Sequence, residues 1–227
     1  MSIIARSRRA PAGAQYRLGL MSASLTGVTG LANAGTLSSA VYSFLWSNLS
    51  TTVTAATSGS GVTTYPMVCM VTQVEVIWSV NTTFTTAQDV SFGLYRVNSY
   101  TAAPTGGLAA TFTATQTLTT GKFDSNYPIT NFSKAGDIRI STAAALSAGT
   151  GNCDLYPMRQ FMGNTNTIGV GPSTFKEFAM GNDPNTQALF FRNNEGFIIA
   201  PLVTMGAGGI LDFYVSVEWI EMSSVLE

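Results

Sequence analysis

The last long apolar segment of the chain alternates between apolar and polar residues. Over residues 211–219 every second side chain is apolar, and the positions between them include Asp212, Ser216 and Glu218. Successive side chains of a strand point to opposite faces, so this period of two predicts an antiparallel strand with one buried and one solvated face. The segment therefore predicts β structure that packs on one side only.

Seven further segments predict strands. Residues 67–80 show the same alternation, and six shorter segments are rich in aromatic and β-branched residues: 40–47, 89–97, 108–113, 137–141, 187–192 and 196–200. Turn-forming residues separate them, and no segment predicts a helix of more than a few turns. We expect residues 147–180 to form a long loop. Eight irregularly spaced strands predict an all-β fold, an antiparallel β-sandwich of jelly-roll or Greek-key type.

The N-terminal part of the chain has a different character. Residues 2–39 show neither a helical stripe nor strand alternation, and Arg6, Arg8, Arg9 and Arg17 give the first seventeen residues four positive charges and no negative one. We predict an extended basic N-terminal arm over residues 1–38 and a β-sandwich domain over residues 39–227. A basic arm suits an acidic groove on a neighbouring subunit, so the four arginines are candidate subunit-contact residues. A frayed terminus is the alternative, and nucleic acid is the less favoured partner.

The surface of the protein is expected to carry few charges. Only 10% of the residues are Asp, Glu, Lys or Arg, against roughly 25% in an ordinary soluble domain. Such a surface repels its neighbours weakly and favours a protein that partners cover after assembly, the alternative being a monomer with a Thr- and Ser-rich face. No apolar stretch reaches the length of a membrane span, and no secretory signal peptide is predicted.

The residue types present argue against an enzyme. The chain contains no histidine, which removes the commonest general base and the commonest zinc ligand. Asp212 and Glu218 share a strand face but lie roughly 20 Å apart at about 3.3 Å per residue, too far to act on one sugar. We expect no catalytic residues, no metal and no cofactor, and free thiols at Cys69 and Cys153.

Four strand-like runs carry a resemblance to known proteins. They are QDVSFGLYR at 88–96, DIRISTAAAL at 137–146, NEGFII at 194–199 and VSVEW at 215–219. In this order they resemble strand motifs of a group of tailed-bacteriophage virion proteins, over a little more than half of the chain. The resemblance implies a β-sandwich component of the particle, either a capsid decoration (cement) protein or a part of the tail and its fibres. It carries over no functional residue.

These observations together predict a structural virion protein of a tailed phage that is made and assembled in the host cytoplasm. We expect a decoration protein that stabilises the head through self-association, as a trimer, and through arm contacts with the major capsid protein or other virion proteins. The alternatives are a tail, collar or fibre subunit, or a receptor- or carbohydrate-binding module. The last would stack sugars on tyrosines near loops, for which the candidates are Tyr65, Tyr100, Tyr127 and Tyr156.

Overall fold

The computed structural model describes ten ranges of the chain: residues 14–26, 37–38, 40–46, 67–83, 89–110, 121–122, 135–164, 173–177, 189–202 and 208–223. These ranges form thirteen β-strands in two sheets and contain no α-helix. The all-β prediction is therefore confirmed. No helix long and apolar enough to cross a membrane is present among the described residues.

Each sheet is antiparallel throughout its described pairings. Sheet A has the order β10 (Ser173–Glu177), β3 (Met67–Thr82), β13 (Ile210–Ser223), β1 (Ala14–Thr26) and β6 (Gly121–Lys122), and β11 (Leu189–Phe191) pairs with another part of β3. Sheet B has the order β5 (Leu108–Ala109), β7 (Ala135–Ile140), β2 (Tyr42–Trp46), β12 (Glu195–Pro201), β4 (Asp89–Ala102) and β8 (Thr150–Cys153), and β9 (Arg159–Asn164) pairs with the other half of β4.

The pairing of the strands is that of a jelly roll. The first strand, β1, pairs with the last, β13, and the second, β2, pairs with the last but one, β12. Next, β13 pairs with β3 and β12 with β4, and the outermost partners are β10 on β3 and β9 on β4. This nesting yields the two four-stranded sheets β1–β13–β3–β10 and β2–β12–β4–β9, which are the double Greek key of a jelly roll. Of the strands between β4 and β9 in sequence, β5, β6 and β7 widen the two sheets, and β8 pairs with the part of β4 that β9 does not reach.

The core lies between the sheets and is rich in aromatic rings. On β13 the residues 211, 213, 215, 217 and 219 are fully buried, as the alternation predicts. The Phe44 ring stacks on Phe197 with centroids 5.3 Å apart and meets Trp219 edge-on, also at 5.3 Å. Farther along, Phe92 lies 4.8 Å from Phe213. These contacts join β2 and β4 of sheet B to β13 of sheet A, and β2 to β12 within sheet B.

All eight predicted strands are present, but five described strands were not predicted. One difference concerns residues 147–180, which we expected to be a long loop and which contain β8, β9 and β10. These strands are short and rich in polar residues, and among the residues of β9 whose burial is described, 159–162, only Phe161 is fully buried. The loop prediction was wrong because an edge strand can be held by backbone hydrogen bonds with little apolar periodicity.

The second difference concerns residues 14–26, which we predicted to belong to the extended arm. They form β1 and pair along their length with β13, so they are part of the sandwich, and the boundary at residue 38 does not separate arm from domain. Leu18 and Leu20 point into the core, and a register shift between Ser22 and Leu25 lets Leu25 point inward as well. The shift breaks the period of two, which hid the strand in the sequence. Residues 1–13 and 27–36 of the predicted arm lie outside the described residues.

Candidate interaction surfaces

Arg17, one of the four predicted contact residues, lies on the outer face of sheet A. Its Nε atom is 3.6 Å from a carboxylate oxygen of Glu218 and donates a hydrogen bond to Ser216 Oγ at 3.3 Å, and its Nη2 atom is 3.9 Å from Glu75. Arg17 is thus held by its own sheet rather than carried on an extended arm. Its role in subunit contact stays a prediction, as does that of Arg6, Arg8 and Arg9, which lie outside the described residues.

An apolar row follows the Arg17 cluster on the same face. The Tyr214 side chain lies over Gly19 of the neighbouring strand β1. It is so close that a Cβ atom at this glycine would collide with the tyrosine side chain. Ile77 and Met21 are the cross-strand partners of Tyr214 on either side, and Met21 is 56% exposed. The outer face of sheet A therefore presents a charged row beside an apolar one.

The outer face of sheet B is different because the chain covers it. A second apolar cluster lies there, formed by Leu37, Ala40, Leu45, Tyr95, Val97, Leu146, Cys153, Ile198 and Ala200. Leu37 packs against Gly149 and Gly151, where a Cβ atom would meet the leucine side chain. As a result β12 is buried on both faces. Part of the cover comes from the segment between β4 and β9, which the jelly roll itself does not require.

A loop between β8 and β9 exposes two large apolar side chains. Leu155 is 65% exposed and Tyr156 is 76% exposed. The loop is fixed at both ends to β4, because the backbone N–H of Asp154 donates to the carbonyl of Arg96 at 2.9 Å and that of Met158 donates to the carbonyl of Leu94 at 2.7 Å. We call residues 154–158 the anchored loop. It holds its apolar tip on a rigid base.

Two further contacts support the base of the anchored loop. Asn98 Nδ2 donates to Asp154 Oδ1 at 2.6 Å. Pro157 packs over the outer face of sheet B at Gly93, where a Cβ atom would lie 2.9 Å from the proline Cβ. The loop therefore folds over the outer face of sheet B and does not extend in the plane of the sheet.

The four tyrosines that we considered for sugar stacking have different positions. Tyr100 of β4 is half-buried and donates a hydrogen bond from its hydroxyl to the carbonyl of Trp46 at the end of β2, at 3.1 Å, so it connects two strands of sheet B. Tyr156 is exposed at the tip of the anchored loop. Tyr65 and Tyr127 lie outside the described residues. Of the described candidates, only Tyr156 offers a ring to a ligand.

A charged cluster that sequence reasoning missed closes one end of the sandwich. Arg96 Nη2 lies 2.9 Å from Glu195 Oε2 and donates to the carbonyl of Phe190 at 3.0 Å, and the guanidinium carbon is 5.4 Å from the centroid of the Phe191 ring. The same Glu195 oxygen accepts the backbone N–H of Arg192 at 2.9 Å. Arg96 on sheet B thus holds β11 of sheet A. In the sequence, the sign of this cluster was an arginine within a strand-like run of β-branched and aromatic residues.

The described carboxylates and thiols do not converge on a reaction centre. Asp212 and Glu218 share the outer face of β13, as predicted, and burial raises the pKa of Asp137 while Arg139 beside it acts in the opposite direction. Neither Cys69 nor Cys153 is part of a disulfide and both are buried; burial, with a smaller effect of Asp154, raises the pKa of Cys153 to about 11. Within the described ranges no three or more Cys, Asp or Glu residues are placed to hold a metal ion.

No known protein family matches the chain, and no curated protein matches its sequence. Inference about function therefore depends on the fold and on the surfaces described above.

Proposed function

We propose that the protein is a structural component of a tailed-phage particle and serves as a capsid decoration protein. Its partners are copies of itself and the major capsid protein or other virion proteins. The observation that carries the proposal is the anchored loop, which projects Leu155 and Tyr156 from a rigid jelly roll. Jelly rolls occur in viral capsid proteins, in lectins and in cupins, so the fold allows this function without defining it.

The geometry of the anchored loop favours binding to a macromolecule. Tyrosine is one of the residue types that supply most of the energy of protein interfaces, and the exposed leucine beside it adds apolar area for a partner to bury. Because the backbone is already fixed to β4 at both ends, little conformational entropy is lost on binding. An apolar pair on such a base costs solubility in a free protein, and a partner that covers it removes that cost.

The composition supports assembly into a dense array. Only 10% of the residues are charged and the net charge is −1. Copies that pack side by side on a capsid therefore repel one another weakly. A decoration protein makes many shallow contacts, for which a low-charge surface with a few apolar side chains is suited.

Tyr156 also favours a second function, a carbohydrate- or receptor-binding module of the tail. Its ring is 76% exposed, and exposed aromatic rings are suitable for stacking on sugars. Under this alternative Tyr156→Ala would abolish glycan binding by the isolated protein. Under the capsid proposal the same change would weaken binding to assembled particles only.

The test is co-sedimentation of the purified protein with assembled capsids and, in parallel, with purified tails. We expect the wild type to sediment with capsids and the double variant Leu155→Ser, Tyr156→Ser to remain in the supernatant. Leu108→Ser is the matched control, because Leu108 is 48% exposed on β5 at the opposite edge of sheet B. Binding to tails alone would favour the tail alternative, and binding to neither would contradict both.

A further inference from the structure

The edges of the two sheets differ in how well they are protected against pairing. Natural proteins protect edge strands by making them short, charged or irregular. Among the described strands, β5 and β6 have two residues each, β8 contains two register shifts, and β10 carries Lys176 and Glu177. By contrast β9 has six residues in unbroken register with β4, and its one charged residue is Arg159 at its start.

The backbone groups of β9 that point away from β4 can be assigned from the neighbouring strands. The N–H of Leu202 donates to the carbonyl of Ser91 at 2.8 Å on the β12 side of β4, whereas the N–H of Met158 donates to the carbonyl of Leu94 on the other side. Backbone groups alternate along a strand, so even-numbered residues of β4 face β9. The residues of β9 opposite the odd-numbered ones therefore point their N–H and C=O groups to the outer edge: Gln160, Met162 and Asn164.

One of these three residues is also apolar and exposed. Met162 is 57% exposed and lies opposite Ser91 on the outer face of sheet B. The anchored loop, which precedes β9, folds over the outer face and leaves the edge itself uncovered by the described residues. The strand thus combines three outward-facing backbone positions with an accessible methionine.

We propose that β9 pairs with β9 of a second copy, antiparallel and around a two-fold axis at Met162, so that sheet B continues from one molecule into the other. The proposal deepens the proposed function and rests on its self-association, because it names the surface through which copies associate. A two-fold pair of edges gives a dimer, in place of the trimer expected from the sequence.

Three features favour a second copy of the protein as the partner of the β9 edge. With Met162 opposite itself, Gln160 faces Asn164 of the other copy, and the three outward-facing positions form about six backbone hydrogen bonds. In this register the core-facing side of sheet B in one copy continues into the core-facing side in the other, and the outer face continues into the outer face. The two Arg159 residues lie about 20 Å apart at about 3.3 Å per residue, beyond the range of about 10 Å over which exposed charges repel.

A disulfide test reports the register directly. In a hydrogen-bonded antiparallel pair the opposite Cα atoms are about 5.5 Å apart, a distance that a disulfide spans. We expect Met162→Cys to form a covalent dimer under mild oxidation. Gln160→Cys is the matched control, because two copies of this residue would be about 13 Å apart, and we expect about tenfold less cross-linking. Equal cross-linking of the two variants would overturn the proposed register.

Sedimentation equilibrium tests the association itself. We expect the wild type to have twice the mass of the 23.9 kDa chain and Met162→Lys to be a monomer with an unchanged melting temperature, since a lysine on an exposed edge blocks pairing. A monomeric or trimeric wild type would overturn the inference. If a monomeric or trimeric wild type still sediments with capsids, the proposed function stands and only the β9 pairing is contradicted. A dimer that binds neither capsids nor tails would contradict the proposed function alone.

Discussion

Replacing Trp219 by alanine tests the packing of the jelly roll most severely. Trp219 is fully buried on β13 and meets the Phe44 ring edge-on at 5.3 Å. A buried aromatic residue removes about 150–250 Å² from water, which at about 25 cal/mol per Å² gives an upper bound of about 4–6 kcal/mol. Measured substitutions of this kind cost about 3–5 kcal/mol. We expect the free energy of unfolding to fall by this amount.

The assay is urea denaturation together with thermal melting followed by circular dichroism. For a chain of this size 1 kcal/mol corresponds to about 2–4 °C, so the melting temperature should fall by roughly 6–20 °C. Glu218→Ala is the matched control on the opposite face of the same strand. It breaks a partly exposed ion pair with Arg17 and should cost about 0–1 kcal/mol.

Two results would refute this reasoning. A Trp219→Ala protein that melts within about 2 °C of the wild type would mean that this side chain is not in a packed core. A Glu218→Ala protein that is destabilised as strongly as Trp219→Ala would mean that the faces of β13 are not divided as described.

Three further predictions concern the arm, a close backbone approach and a thiol. Changing Arg6, Arg8 and Arg9 together to alanine should weaken incorporation into particles at low salt while leaving the melting temperature unchanged; incorporation equal to wild type at all salt concentrations would contradict the arm hypothesis. Gly196→Ala should destabilise the protein by about 1–3 kcal/mol, because a Cβ atom there collides with a carbonyl oxygen of β2, and wild-type denaturation would contradict this. Cys153, buried with its pKa raised to about 11, should react with a thiol reagent at pH 8 only after denaturation; rapid reaction of the native protein would show that it is accessible.

The long strands of the fold were predictable from the sequence because their apolar faces pack against a second sheet. In β13 and β3 the burial of alternate residues imposes a period of two on the sequence. In β1 the same force acts on Leu18, Leu20 and Leu25, but the register shift after Ser22 moves the last of them out of phase. A search for strict alternation passes over such a strand.

The edges of the sheets were not predictable for a different reason. The strands β8 and β9 are held mainly by backbone pairing with β4, and backbone hydrogen bonds place few demands on side chains. For the same reason the exposure of Met162 on β9 could not be recognised from the sequence. An apolar residue has the same identity on either face, and only the register of β9 with β4 reveals which way it points.

The central claim is that the protein is a structural part of the virion, and quantitative mass spectrometry of purified particles tests it most directly. Under the proposed function, particles of the encoding phage would be purified by density gradient, and the copy number of this protein would be measured relative to the major capsid protein. We predict a fixed ratio that survives repeated purification and is found in empty heads as well as in full particles. Absence of the protein, or trace amounts that fall with each purification step, would contradict the proposed function.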